Sequence, residues 1–202
     1  MSRTLEKQSA ILKAAKTLFL QRGFQTTSMD EITALAGVSK RTVYHHFPDK
    51  VTLFKAVIKL HWDEIMQQRQ AKLNAEMPPE QALTLFCQDF MGFAYHTDTM
   101  SLFRLMIAEG HALPHLSDLV LAQGKAPFTQ ELIYYLNAQQ IKGVFKIEQV
   151  DLAASHLLGM LKEDQFWPKM LGFIPEVDLS KTDLLIREAV RVFLCYYQKK
   201  SV

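Results

Sequence analysis

Residues 28–50 read Ser28-Met-Asp-Glu-Ile-Thr-Ala-Leu-Ala-Gly-Val-Ser-Lys-Arg-Thr-Val-Tyr-His-His-Phe-Pro-Asp-Lys50, and this stretch decides the fold. Ser28 with Glu31 three positions later is a capping box, in which hydroxyl and carboxylate each satisfy a free amide of the first helical turn. Ile32, Leu35 and Ala36 follow at helical spacing. Gly37 stands where that helix must stop, because it accepts positive φ without a Cβ clash. Val38 fills the corner, and Ser39 is an N-cap for a second helix. Two short helices joined by a glycine turn form a helix-turn-helix, a unit that places its second helix in the DNA major groove.

At about 100° per residue the second helix divides into two faces. Val43 and Phe47 point one way, with His46 at the edge of their stripe. Arg41 and His45 point the other way, flanked by Lys40, Thr42 and Tyr44. Arg and Lys pair with guanine O6 and N7, and Thr or an aromatic ring can meet a thymine methyl. An ordinary amphipathic surface helix would show the same division, so the pattern alone leaves both readings open.

The run from Thr26 to Phe54 resembles the DNA-binding signature of the tetracycline-repressor (TetR) family, most specifically at Thr42-Val43-Tyr44, His46-Phe47 and Asp49-Lys50. The resemblance implies that Lys40, Arg41 and Tyr44 approach bases. It assigns Thr27, Ser28, Thr42, His46 and Lys50 to phosphates. Val51 departs from the pattern, since many relatives carry an acid there; the missing helix-dipole contribution is about 0.3–1 kcal/mol.

Charge is distributed in keeping with that reading. The chain of 202 residues has a net charge of only +2. Residues 1–60 nevertheless hold ten Lys or Arg against four acids, and the remainder holds 13 against 17. A basic amino-terminal lobe suits a polyanion and an acidic remainder does not. The 49% hydrophobic and 22% charged fractions fit a globular protein. No apolar run approaches the ~20 residues of a membrane span, and no signal peptide precedes the first helix. Cys87 and Cys195 lie in helical apolar runs and read as reduced core thiols, which implies a cytoplasmic location.

The periodicity predicts an all-α chain of about nine helices. A three-helix DNA-binding domain over residues 1–48 is followed by a larger effector-binding and dimerisation bundle over 49–202. Helices are expected over 4–22, 50–75, 79–96, 98–111, 114–140 with a kink at 124–127, 147–163 and 179–199. The segment Arg104-Leu-Met-Ile-Ala-Glu109 is similar to a subgroup of TetR-type repressors associated with efflux control, a less specific resemblance than the first.

The aromatic and Met-rich interior of the second lobe reads either as ordinary core or as an apolar effector pocket. Given the family resemblance, the pocket is expected among Trp62, Met66, Phe86, Phe90, Phe103, Met106, His111 and Leu119, with His96 and Glu109 as further polar candidates. The resemblance also implies a homodimer through the last two helices. Leu152, His156, Met160, Leu185, Ala189, Val192, Phe193 and Tyr196 are the expected interface, unless these stripes only close the monomer core.

Catalytic groupings are missing from the sequence. His111 and His115 have Pro114 between them and no companion ligands, so no metal is expected. There is no phosphate loop and no nucleophile elbow. The sequence therefore predicts no enzyme and no cofactor. It predicts a transcriptional regulator, chiefly a repressor released from a pseudo-palindromic double-stranded DNA operator by a small, largely apolar effector. The competing reading is a helical small-molecule-binding or enzymatic protein with a vestigial DNA-binding domain.

Overall fold

The computed structural model describes residues 3–69, 73–110 and 126–199. The chain groups into two compact units, Met1–Gln67 with Thr97–Gly124 and Gln68–His96 with Lys125–Val202. The first unit takes in nearly all of the fourth helix and the 97–109 helix.

In the first unit α1 (Arg3–Arg22) packs on α2 (Met29–Ala36), α3 (Lys40–His46), α4 (Lys50–Gln68) and α6 (Thr97–Glu109). Gly23, at φ 88°, ends α1 by donating its amide to Phe19 O at 2.9 Å. Phe24 then turns inward, with its ring centroid 5.6 Å from Phe19 and 5.0 Å from Phe54. These rings, with Ile11, Ile32, Val43, Leu53 and Ile58, form the core that fixes α2 and α3. Leu35 departs from the expected stripe and is exposed; on α2 only Ile32 is fully buried. Helix α6 is tied in by polar contacts. His61 and Thr99 meet at 2.9 Å in the interior, and Lys16 bridges Glu64 at 3.3 Å and Asp98 at 3.0 Å.

The second unit holds α5 (Pro79–Tyr95), α7 (Ala126–Ile141), α8 (Val150–Met160), α9 (Phe166–Met170) and α10 (Leu179–Tyr197). Helix α10 packs on α5 and α8, and α8 packs on α7. Phe128 is the hub of this core, with Phe90 at 5.4 Å and Phe93 at 4.8 Å on one side. The Arg69 guanidinium covers its ring at 4.1 Å while binding Asp89 at 2.5 Å and Glu131 at 2.7 Å. A planar cation with several donors suits such a site, because it can stack and bridge two carboxylates together.

The fold is all-helical, with ten helices and no strand among the described residues. Its helix bounds differ from expectation in places. Helix α4 ends at Gln68 rather than at 75, since tertiary partners claim the chain beyond it. Glu131 accepts the Leu73 amide, and Ala75 O accepts from Gln139 and Lys142. The 147–163 helix begins only at Val150, because Lys146 N is drawn to Tyr197 O at 3.0 Å and Ile147 N to the Gln140 side chain. The short helix α9 was not expected. For the predicted 114–140 helix, 114–125 lies outside the described residues; Pro127 falls in the first turn of α7, where its missing N–H costs nothing. Cys87 is buried, and burial pushes its thiol pKa upward, whereas Cys195 is exposed rather than in the core. Among the described residues no helix is long and apolar enough to cross a membrane.

Candidate nucleic-acid interface

The helix-turn-helix forms as its residues dictate. Ser28 donates its amide to Glu31 Oε2 at 2.8 Å and accepts the Glu31 amide at 3.2 Å, completing the capping box. The Ser28 amide holds the Glu31 carboxyl below its ordinary pKa, assisted by the Ser28 hydroxyl and by Arg22. Gly37 closes α2 at φ 63°, and its amide bonds to Ala34 O at 3.3 Å. Ser39 caps α3 by accepting the Thr42 amide at 3.2 Å.

Helix α3 is held from beneath by Val43 and Phe47, both buried. Arg41, Tyr44 and His45 stand exposed on its other side, and among the described residues Arg41 makes no hydrogen bond or ion pair. Lys40 is exposed too, but its ammonium lies 2.7 Å from Asp30 Oδ1 on α2. That bond raises the Lys40 pKa above its ordinary value. The expected base-reading trio of Lys40, Arg41 and Tyr44 therefore shares one accessible face.

The phosphate set divides. Ser28, Thr42 and His46 lie at or near the surface, with the Thr42 hydroxyl 2.8 Å from that of Ser39. The Thr27 side chain is 1% exposed, and its hydroxyl donates inward to Gly23 O at 2.8 Å. Lys50 is engaged within the protein as well. Its Nζ donates to the carbonyl oxygens of Phe24 at 2.9 Å, Gln25 at 3.2 Å and Thr27 at 2.9 Å, and sits 4.5 Å from the Phe24 ring centre. An ammonium has three donors, and all three are used within the protein.

The expected effector residues fall in both units. Trp62 and Met106 are buried in the first, Phe103 lies 5.6 Å from Trp62, and Met66 is half-buried. Phe86 and Phe90 are core residues of the second unit, packed around Phe128. His111 and Leu119 lie outside the described residues. Glu109 is buried and accepts the Gln25 amide group at 2.6 Å, while His96 is exposed at the end of α5.

The expected dimer residues also separate. Leu152, His156, Val192 and Tyr196 are exposed, and Met160 and Leu185 are half-buried. Ala189 and Phe193 are buried in the protomer's own core. Phe193 packs on Phe145 at 6.1 Å and Tyr197 at 4.7 Å. Both kinds of residue recur along α10, so its inner and outer stripes share one helical period. Beside the outer stripe an open groove of about 360 Å³ is lined by Lys146, Glu148, Gln149, Leu152, His156, Tyr196 and Tyr197.

Residues 81–199 match the family described as AefR-like transcriptional repressor, C-terminal domain, and residues 11–57 match Bacterial regulatory proteins, tetR family. The chain belongs to the TetR family of bacterial regulatory proteins. FasR of Mycolicibacterium smegmatis, an HTH-type transcriptional activator, is 34% identical over 91 residues, or 45% of this chain and 42% of FasR. The match thus spans less than half the length of that relative. A TetR-family regulator from Mesorhizobium loti is similar with a TM-score of 0.87 at 27% identity, covering 98% of this chain and 100% of that one. The flavonoid-responsive regulator FrrA is similar with a TM-score of 0.83 at 26% identity, covering 96% of this chain and 98% of FrrA.

Proposed function

We propose that this protein is a sequence-specific DNA-binding transcriptional regulator, acting in the cytoplasm as a homodimer and released from a pseudo-palindromic operator by a small-molecule effector. The observation that carries this reading is the division of α3, with Val43 and Phe47 buried and Arg41, Tyr44 and His45 outward. Repression is favoured by the match of residues 81–199 to the repressor family.

Arg41 and Lys40 read guanine edges, Tyr44 meets a thymine methyl or the backbone, and Ser28, Thr42 and His46 set the register on phosphates. A dimer with twofold symmetry supplies two such helices to successive major grooves, about 34–36 Å apart. The exposed Leu152, Val192 and Tyr196 support a partner face on α8 and α10. An effector acts by binding the DNA-incompetent arrangement more tightly than the competent one. The flavonoid-responsive relative makes planar aromatic compounds the first effector class to test.

Selection of bound duplexes from a random pool tests the reading. A pseudo-palindrome with half-sites about 10 base pairs apart is expected. Recovery of unenriched sequence would overturn it.

A further inference from the structure

The two cations that open α3 are held differently. Arg41 has no partner among the described residues, whereas the Lys40 ammonium is 2.7 Å from the Asp30 carboxylate. Asp30 is not needed to cap α2, since Ser28 and Glu31 already form the capping box and Glu31 also takes Arg22 at 2.8 Å. Among the described residues Lys40 is the only partner of the Asp30 carboxylate. An exposed acid on a DNA-binding surface weakens contact with every phosphate nearby. As an acid in the first turn of α2, Asp30 favours the helix dipole, and its bond to Lys40 gives it a second connection, to the reading helix.

We propose that Asp30 is a specificity-determining residue for DNA recognition, acting as a competing acceptor that Lys40 leaves only for a correctly placed base edge. A lysine is a compact charge on a flexible stem, and a free one settles on whichever phosphate oxygen is nearest. With Asp30 in reach, a lone phosphate must displace a carboxylate of the same charge, so that exchange gains little. A neutral guanine edge carries less charge than either anion, and it competes by presenting two acceptors, O6 and N7, together in a groove from which water is excluded. On a wrong sequence Lys40 stays with Asp30 and no base contact forms. Discrimination thus rises through weaker binding to the wrong partner as well as through contact with the right one. This role rests on the assignment of Lys40 as a base reader.

The test uses the full-length protein and two probes at fixed salt: the duplex enriched by the wild type from a random pool, and unselected random duplex. Asp30→Asn is expected to tighten random-duplex binding roughly fivefold or more, and selected-duplex binding by less, so the affinity ratio falls. In a Lys40→Met background the same change is expected to shift both probes equally and leave the ratio alone. A purely structural role for Asp30 in α2 would weaken both probes in proportion. An unchanged or raised ratio for Asp30→Asn overturns the role, as does an equal fall in both backgrounds. Lys40→Met alone separates the two claims. If it leaves the ratio unchanged, Lys40 reads no base and both claims fall; if it lowers the ratio while Asp30→Asn does not, only the role of Asp30 falls.

Discussion

Lys50 Nζ lies 2.9 Å from the carbonyl oxygen of Thr27, and it reaches Phe24 O at the same distance. The first residue of α4 thereby clamps the turn that leads into the helix-turn-helix.

Lys50→Met is accordingly a folding variant before it is a DNA-binding one. It leaves three carbonyl oxygens without their donor and removes a cation from the Phe24 ring, a loss of about 1–3 kcal/mol. The urea midpoint should fall with the slope unchanged. Among folded molecules, the salt dependence of DNA binding should match the wild type, because no counterion-releasing phosphate contact is lost.

Helix caps contribute to the loss of stability in acid. Bonding to the Ser28 amide lowers the pKa of Glu31, the Thr52 amide does the same for Asp49, and the Ser180 hydroxyl for Asp178. Each folded-state pKa lies below its unfolded value, so the stabilisation is complete above that value, near 4.5 for Glu31. It is lost as pH falls through the folded pKa. Urea midpoints should be level from neutral pH to about 5 and fall below about 4. Ser28→Ala should cost about 1 kcal/mol at neutral pH and less in acid, where Glu31 is protonated.

The two stripes of α10 predict opposite phenotypes. Phe193→Ala empties a core site and should cost about 3–5 kcal/mol of stability. Val192→Asp changes an exposed position and should leave the protomer folded while separating the dimer. Sedimentation at micromolar concentration, with circular dichroism beside it, distinguishes them. A Val192→Asp protein that remains dimeric would place the partner face elsewhere.

Local signals carried most of the sequence reading. The Ser28–Glu31 box, the Gly37 stop, the Ser39 cap and the inward pair Val43 and Phe47 each depend on neighbours within a turn or two, and each was legible. What was missed depends on residues distant in sequence. Lys50 looks like any surface lysine until the 24–27 turn folds against it. Arg69 gives no sign of bridging Asp89 and Glu131, nor Asp30 of reaching Lys40. The end of α4 at Gln68 is set by Glu131 and Gln139, far beyond any helix-propensity window. On α10 the period was correctly read, but periodicity does not say which apolar stripe faces the protomer's own core.

Arg41 is the residue on which the account of DNA reading turns, being exposed, unpaired among the described residues and central to the outer face of α3. The most direct test is titration of wild-type and Arg41→Ala protein against the selected duplex and against variants changed at each base pair, at constant salt. An unchanged urea midpoint is expected, with a loss of about 1–3 kcal/mol of discrimination confined to one base pair in each half-site. A folded Arg41→Ala protein with wild-type discrimination at every position would contradict it.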